Sequence, residues 1–137
     1  MIAAAVLSSL APPAKALAKE GGASARVGPG RVAEVVNKNG YRLELRVVPN
    51  RAAEPNTFEV KITRGGVPLR GAEVVTGITM LDMEMGSQSY ALKEIAPGLY
   101  QRSAPALVMV GHWGLSFDVT PPGKAPFTVL LVDRASG

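Results

Sequence analysis

The sequence of 137 residues contains no cysteine and a single histidine, His112. Without cysteine the chain cannot form disulfides, zinc sites with thiolate ligands or iron–sulfur clusters held by thiolates. With one imidazole, a single copy cannot supply the two histidines of an H-E-x-x-H zinc peptidase motif. Any binding of a metal through sulfur must therefore use methionine thioethers.

Aromatic residues are scarce, at 5%, and the N-terminal apolar stretch reaches Pro12-Pro13 after eleven residues. A membrane-spanning helix needs about 20 apolar residues in a row. Of the net charge of +4, residues 1–39 carry +3 (five basic minus two acidic), and the rest of the chain carries +1 (ten minus nine). Because this body also has no basic cluster among stacking aromatics, no nucleic-acid partner is predicted.

The residues that are abundant favour one domain made of short strands. Hydrophobic residues make up 47% of the chain, which is enough for a packed core, and 15 glycines and 11 prolines indicate frequent chain reversals. Seven segments show period-2 alternation or enrichment in Val and Thr, with turn residues between them. The predicted strands are 41–48, 58–63, 72–80, 87–95, 99–106, 112–119 and 127–132. We therefore predict an all-β, immunoglobulin-like antiparallel β-sandwich of about seven strands, with Trp113 in its core.

Composition divides the chain into three parts. Residues 1–18 combine a short apolar run with a small-x-small ending, Ala16-Leu17-Ala18, which predicts an export signal peptide although a positive first region is missing. Residues 19–39 are mostly glycine, alanine and charged residues without sustained periodicity, which predicts a flexible linker. Residues 40–133 form the predicted domain. We expect it to be extracytoplasmic, periplasmic or secreted, and soluble after cleavage of the signal.

Three of the five methionines, Met80, Met83 and Met85, lie within six positions. A regular strand would place Met83 and Met85 on one face with Met80 out of phase, and the intervening Asp82 and Glu84 argue against a fully buried segment. The pattern therefore predicts a bulge or loop in which the three thioethers converge. Neutral thioethers are soft ligands that select Cu(I) over zinc, magnesium or calcium.

A second candidate segment contains Met109 and His112. The five candidate ligands are sufficient for a copper site with three or four ligands, provided that the two segments adjoin, which the sequence leaves open. Methionine clusters also occur as ordinary core or as adaptable binding surfaces, and those alternatives remain. Asp82 and Glu84, without a neighbouring nucleophile or second base, are typical of a solvated strand face, so we predict no enzyme activity.

Several motifs together resemble the YtkA-like domain family, which is related to FixH. They are Phe58-Glu59-Val60-Lys61-Ile62, Gly65-Gly66-Val67-Pro68-Leu69, Ala72-Glu73-Val74, Met80-Leu81-Asp82-Met83-Glu84-Met85-Gly86, Pro97-Gly98-Leu99-Tyr100 and Met109-Val110-Gly111-His112-Trp113. The resemblance covers roughly residues 40–133. It implies an immunoglobulin-like module outside the cytoplasmic membrane, associated with copper handling and terminal-oxidase assembly, and it nominates the same five residues. The chain lacks the lipobox cysteine of lipoprotein relatives and the membrane span of FixH proteins.

Two hypotheses follow from these observations. In the first, an extracytoplasmic module binds Cu(I) through Met80, Met83, Met85, Met109 and His112 for copper homeostasis, transfer or oxidase assembly. Its partner is then a copper-donating or copper-receiving protein, soluble or membrane-bound, and no small-molecule substrate is expected. In the second, the domain binds no metal and uses its methionine-rich edge to contact a partner protein.

Overall fold

The structure is a computed structural model that describes residues 24–137, and within that range it consists of strands and connecting loops. The strands are β1 (Ser24–Val27), β2 (Val32–Lys38), β3 (Tyr41–Val48), β4 (Asn56–Arg64), β5 (Val67–Pro68), β6 (Glu73–Met80), β7 (Ser87–Ala96), β8 (Leu99–Ala104), β9 (Gly111–Thr120) and β10 (Phe127–Ala135). Over these residues, no helix has the length and apolarity needed to cross a bilayer.

The strands follow the order β1-β10-β9-β6-β7-β8-β4-β3-β2, with β5 beside β4. All pairs are antiparallel except β1 with β10. β7 pairs first with β6 and then with β8, so it carries the sheet from one layer to the other. On the far side, Arg51 forms a parallel bridge with Ser136. The sheet thus closes almost completely into a barrel-like sandwich.

Alternation of side chains fills the space between the layers. In β3 every second residue, from Tyr41 to Val47, is buried, and β9 and β10 show the same pattern. Leu43, Phe58 and Phe117 are fully buried where the layers meet. Each such side chain contributes about 1.5–3 kcal/mol by leaving water, so the period-2 pattern determines the strand register.

The all-β prediction is confirmed, and each of the seven predicted strands has a counterpart. The count of seven is wrong, because β1, β2 and β5 bring the number to ten. The linker prediction for residues 19–39 is also wrong for the part that the structure describes, since β2 pairs along β3 and buries Val32. The immunoglobulin-like assignment stays a prediction, and the predicted signal peptide, residues 1–18, lies outside the described residues.

Candidate metal centre

The two candidate segments of the sequence meet at one end of the sandwich. β6 and β9 are antiparallel neighbours, and their last pair at this end is Met80 with Trp113. Just beyond this pair, the backbone N–H of Leu81 donates to the carbonyl of His112 at 2.8 Å. The methionine loop, residues 81–86, leaves β6 here, and the entry loop, residues 105–110, leads into β9. Adjacency of the two segments, left open by the sequence, is therefore a feature of the fold.

The four methionines of these segments differ in exposure. Met80 ends β6 and is buried, with 6% of its surface exposed, whereas Met83 is 53%, Met85 46% and Met109 36% exposed. The predicted break in strand geometry is present, because β6 ends at Met80 and β7 begins at Ser87. Three thioethers are thus accessible to solvent, and the fourth, that of Met80, lies in the core.

Trp113 anchors the entry loop to the core. Trp113 is 2% exposed, as predicted for a core residue, and its indole Nε1–H donates to the carbonyl of Met109 at 3.0 Å. A buried indole N–H needs an acceptor, and the backbone of the entry loop supplies it. This bond fixes the backbone at Met109 close to the start of β9.

Asp82 connects the methionine loop to His112 through three contacts. Its Oδ2 accepts the backbone N–H of His112 at 2.8 Å, and the imidazole Nδ1 lies 3.1 Å from Oδ1 and 3.2 Å from Oδ2. The backbone bond from His112 is the main cause that lowers the pKa of Asp82, and the bond to the ring lowers it further. Asp82 therefore stays an ionised acceptor at neutral pH.

Gly111 makes the close approach of Asp82 possible. Its φ of +147° lies in a region that glycine favours, and a Cβ placed there would sit 2.6 Å from Asp82 Oδ2 and 2.6 Å from Met80 Cε. Any larger residue would displace the carboxylate or the buried methionine. The two segments pack against each other because one of them carries no side chain at this position.

Apolar side chains surround these donors. Leu81, Val108 and Val110 are 42%, 43% and 54% exposed. Together with the three accessible methionines they form an apolar rim at this end of the sandwich. Several large apolar side chains exposed on neighbouring segments are typical of a contact surface.

The donors at this end are mostly soft. Across residues 24–137, no group of three or more His, Cys, Asp or Glu residues is arranged to hold a metal ion. The accessible donors near the β6 and β9 ends are instead three thioethers, one imidazole and the carboxylate of Asp82. Sequence reasoning named all of these except the role of Asp82, which it assigned to a solvated face. The feature of the sequence that could have indicated this role is the presence of a carboxylate in one candidate segment and of a histidine in the other.

The fold and this surface define the chain as an all-β domain that presents sulfur donors from two loops and a nitrogen donor from the start of β9. A family model described as YtkA-like matches residues 36–118, a range that includes both loops. Because the match covers more than half of the chain, the protein belongs to the YtkA-like family. The resemblance inferred from the motifs is thereby confirmed.

Solved structures with a similar fold come from FetP of uropathogenic Escherichia coli strain F11. A copper-bound variant of FetP aligns with a TM-score of 0.57 and 15% identity, over 79% of this chain and 97% of that one. FetP as isolated after recombinant expression in the periplasm of E. coli BL21(DE3) aligns with a TM-score of 0.55 and 14% identity, over 80% and 99%. At these identities the likeness establishes a shared fold. No curated protein sequence matches the chain.

Proposed function

We propose that this protein is a non-enzymatic, extracytoplasmic module that binds Cu(I) as cargo at the end of the sandwich formed by β6 and β9. The observation that carries the proposal is that exposed Met83 and Met85 lie on a loop that is hydrogen-bonded to His112 at the start of β9, and that exposed Met109 lies three residues before His112. Met80 is buried at the end of β6, where the methionine loop begins. We assign it to the floor of the site, with the exposed donors as the outer ligands.

The chemistry of the donor set favours Cu(I). Thioethers are neutral and polarisable, so they bind a soft monovalent cation and discriminate against hard cations such as Mg²⁺ and Ca²⁺. Imidazole also binds copper and adds a stronger donor to a set of weak ones. Two or three thioethers with one imidazole supply the three or four ligands that such an ion needs.

The same chemistry suits transfer of the metal. Thiolate ligands must lose a proton before they bind, whereas thioethers bind and release without any change in protonation. Ligands on exposed loops are also reachable by a second protein while the ion is still bound. These properties support a role in copper homeostasis, transfer or terminal-oxidase assembly. The partner is then a copper-donating or copper-receiving protein, soluble or membrane-bound.

Membership of the YtkA-like family and the fold shared with copper-bound FetP support the copper proposal. Recombinant FetP was expressed in the periplasm. That compartment agrees with the export signal predicted for residues 1–18 and supports an extracytoplasmic location for this protein. None of the relatives supplies the ligand set, which we infer from the side chains of this chain.

An anaerobic titration of the full chain with Cu(I), against a competing chromophoric chelator, tests the proposal. The expected result is about one equivalent of tightly held Cu(I). The double variant Met83→Leu/Met85→Leu should lose it, because leucine keeps the apolar volume and removes the sulfur. Val108→Leu is the matched control, since it alters the apolar rim without removing a donor, and it should bind like the wild type. A wild-type protein that fails to compete with the chelator, or a double variant that retains copper, would refute the thioether site.

The apolar rim favours one alternative function, a protein-interaction module that needs no metal. In that case the same Met→Leu changes would leave partner binding intact, whereas Met83→Lys would abolish it by placing a charge in an apolar contact. Partner binding that survives Met83→Lys would exclude this alternative. Replacement of the thioethers by leucine therefore abolishes function if the protein binds copper and leaves function intact if it only binds a partner protein.

A further inference from the structure

We propose that Asp82 is a positioning residue that holds His112 in its Nδ1–H tautomer and leaves Nε2 as the ring nitrogen that binds a soft metal cation. The proposal rests on the function proposed above, because it concerns the histidine of that site. It explains which ring nitrogen of His112 can bind the metal. It also gives Asp82 a role distinct from that of a solvated surface carboxylate.

Within residues 24–137, the hydrogen bonds of Asp82 all go to one residue, His112. One carboxylate oxygen accepts the backbone N–H of His112, and both oxygens lie within 3.2 Å of Nδ1 of the same residue. The backbone bond sets the distance between the loop and β9, and the bond to the ring sets the rotation of the imidazole. Because the Leu81 N–H donates back to the His112 carbonyl, the loop is fixed to His112 from both sides.

This geometry determines which ring nitrogen carries the proton. An ionised carboxylate has only acceptors, so Nδ1 must donate when it lies at hydrogen-bond distance. A neutral imidazole has one N–H, and Nε2 is then left with its lone pair. Histidines that bind metals commonly donate their other N–H to a carboxylate or carbonyl, which fixes the tautomer and the ring orientation. Asp82 and His112 already form such a pair before any metal is present.

The pair is also accessible. The side chains of His112 and Asp82 are 43% and 47% exposed, so the ring is supported on its Nδ1 side and still reachable from solvent. Gly111 secures this arrangement, because a Cβ at that position would collide with Asp82 Oδ2 at 2.6 Å. Gly111→Ala therefore offers a way to displace the carboxylate without changing either member of the pair.

Nitrogen-15 NMR of the imidazole ring in the metal-free full chain tests the tautomer directly, at mildly alkaline pH where a free imidazole is neutral. The wild type should show the Nδ1–H form, although a free imidazole in water favours Nε2–H. Asp82→Ala should shift His112 towards Nε2–H, and Gly111→Ala should do the same. Asp82→Asn keeps one acceptor oxygen and should retain Nδ1–H. Glu84→Ala, the control, removes the other carboxylate of the loop and should leave the ring signals unchanged.

Competition for Cu(I) then measures the consequence for binding. Loss of such a partner typically weakens metal affinity by about 10- to 100-fold, so Asp82→Ala should fall in that range, Asp82→Asn should lose less, and Glu84→Ala should bind like the wild type. A wild-type ring in the Nε2–H form, or an Asp82→Ala ring still in the Nδ1–H form, would overturn the proposal. So would a changed tautomer with unchanged Cu(I) affinity. If the wild type binds no Cu(I), the proposed function fails, while the NMR result still decides whether Asp82 sets the tautomer.

Discussion

Asn50 donates from its side-chain Nδ2 to Asp133 Oδ1 at 2.8 Å, across 83 residues of sequence and with both residues fully buried. The same amide donates to the carbonyl of Gly30, so the pair connects the β1–β2 loop to β10. Within the described residues, Asn50 Oδ1 and Asp133 Oδ2 have no hydrogen-bond partner. Burial of an incompletely paired carboxylate disfavours its charged form and raises the pKa of Asp133 from 3.8 to about 6.

This raised pKa predicts that the Asp133 contribution to stability increases as the pH falls. The folded state takes up a proton near pH 6 and the unfolded state only near 3.8, so the cost of the buried charge is present above pH 6 and disappears by pH 4. The shift corresponds to about 3 kcal/mol at neutral pH. Asp133→Asn should therefore raise the free energy of unfolding at pH 7 by about 1–3 kcal/mol, because the neutral amide removes the buried charge, and not at pH 4, where the folded wild type is already protonated.

Denaturant unfolding of the wild type and Asp133→Asn at both pH values measures this difference. Glu73→Gln, which neutralises an exposed carboxylate, serves as the control and should show a small effect at either pH. The comparison isolates Asp133 because both proteins keep Asp82 and Glu94, whose lowered pKa values make the same contribution to the acid dependence of each. An Asp133→Asn variant that is equally destabilised at pH 7 and pH 4 would contradict the prediction.

Exposure predicts the order in which the methionines react with dilute hydrogen peroxide. Met83 and Met85 should form sulfoxides fastest, Met109 next and Met80 slowest, because only Met80 is shielded by the core. Peptide mapping by mass spectrometry at successive times gives the four rates. In guanidinium chloride the rates should become equal. A Met80 that oxidises as fast as Met83 in the native protein would show that the floor of the site is open.

The hydrogen bond from Trp113 predicts a specific effect on the entry loop. Trp113→Phe should lower the free energy of unfolding by about 1.5–3 kcal/mol through lost volume and the lost bond to Met109. It should also speed amide hydrogen exchange across residues 105–110. Phe117→Leu is the control, since Phe117 is buried on the same strand and should lose stability without selective loosening of that loop. Equal exchange in both variants would mean that the indole bond does not hold the loop.

Two glycines with similar backbone angles should differ in their tolerance of alanine. Gly98 has φ +73°, and its Cβ would sit 2.8 Å from the Ile62 carbonyl oxygen and 2.9 Å from Pro68 Cβ, whereas Gly123 has φ +68° and open space. Gly123→Ala should cost about 1 kcal/mol of strain. Gly98→Ala should cost about 2–4 kcal/mol, because the β7–β8 turn must also move away from β4. Urea unfolding of both variants checks this, and equal losses would show that packing at the turn is loose.

The period-2 alternation alone was sufficient to predict the strands that have one fully buried face. β3 and β9 were predicted within one residue of their observed starts because apolar and polar residues alternate along them. β2 was missed because its exposed residues include Val35, while Glu34 on the other face is half-buried, so hydrophobicity does not distinguish the faces. β5 has two residues and β1 has four, which is too short for any period to appear.

The composition of the candidate site was predictable, but its assembly was not. Thioether chemistry follows from residue types that are visible in the sequence. The pairing of Met80 with Trp113 joins residues 33 positions apart, and local patterns carry no information about such partners. The role of Asp82 was missed for the same reason, since its partner lies 30 residues away.

The hydrogen bond between Leu81 and His112 closes the β6–β9 ladder at the point where the methionine loop begins. The loop therefore starts from an anchored base, and its tip can vary in length and composition while the sandwich beneath keeps its register. This makes residues 83–86 a natural position for loop grafting. Replacing Met83 and Met85 with harder donors would change which metal ion is preferred while the scaffold stays the same. Asp82 and His112 would keep their positions in each new site.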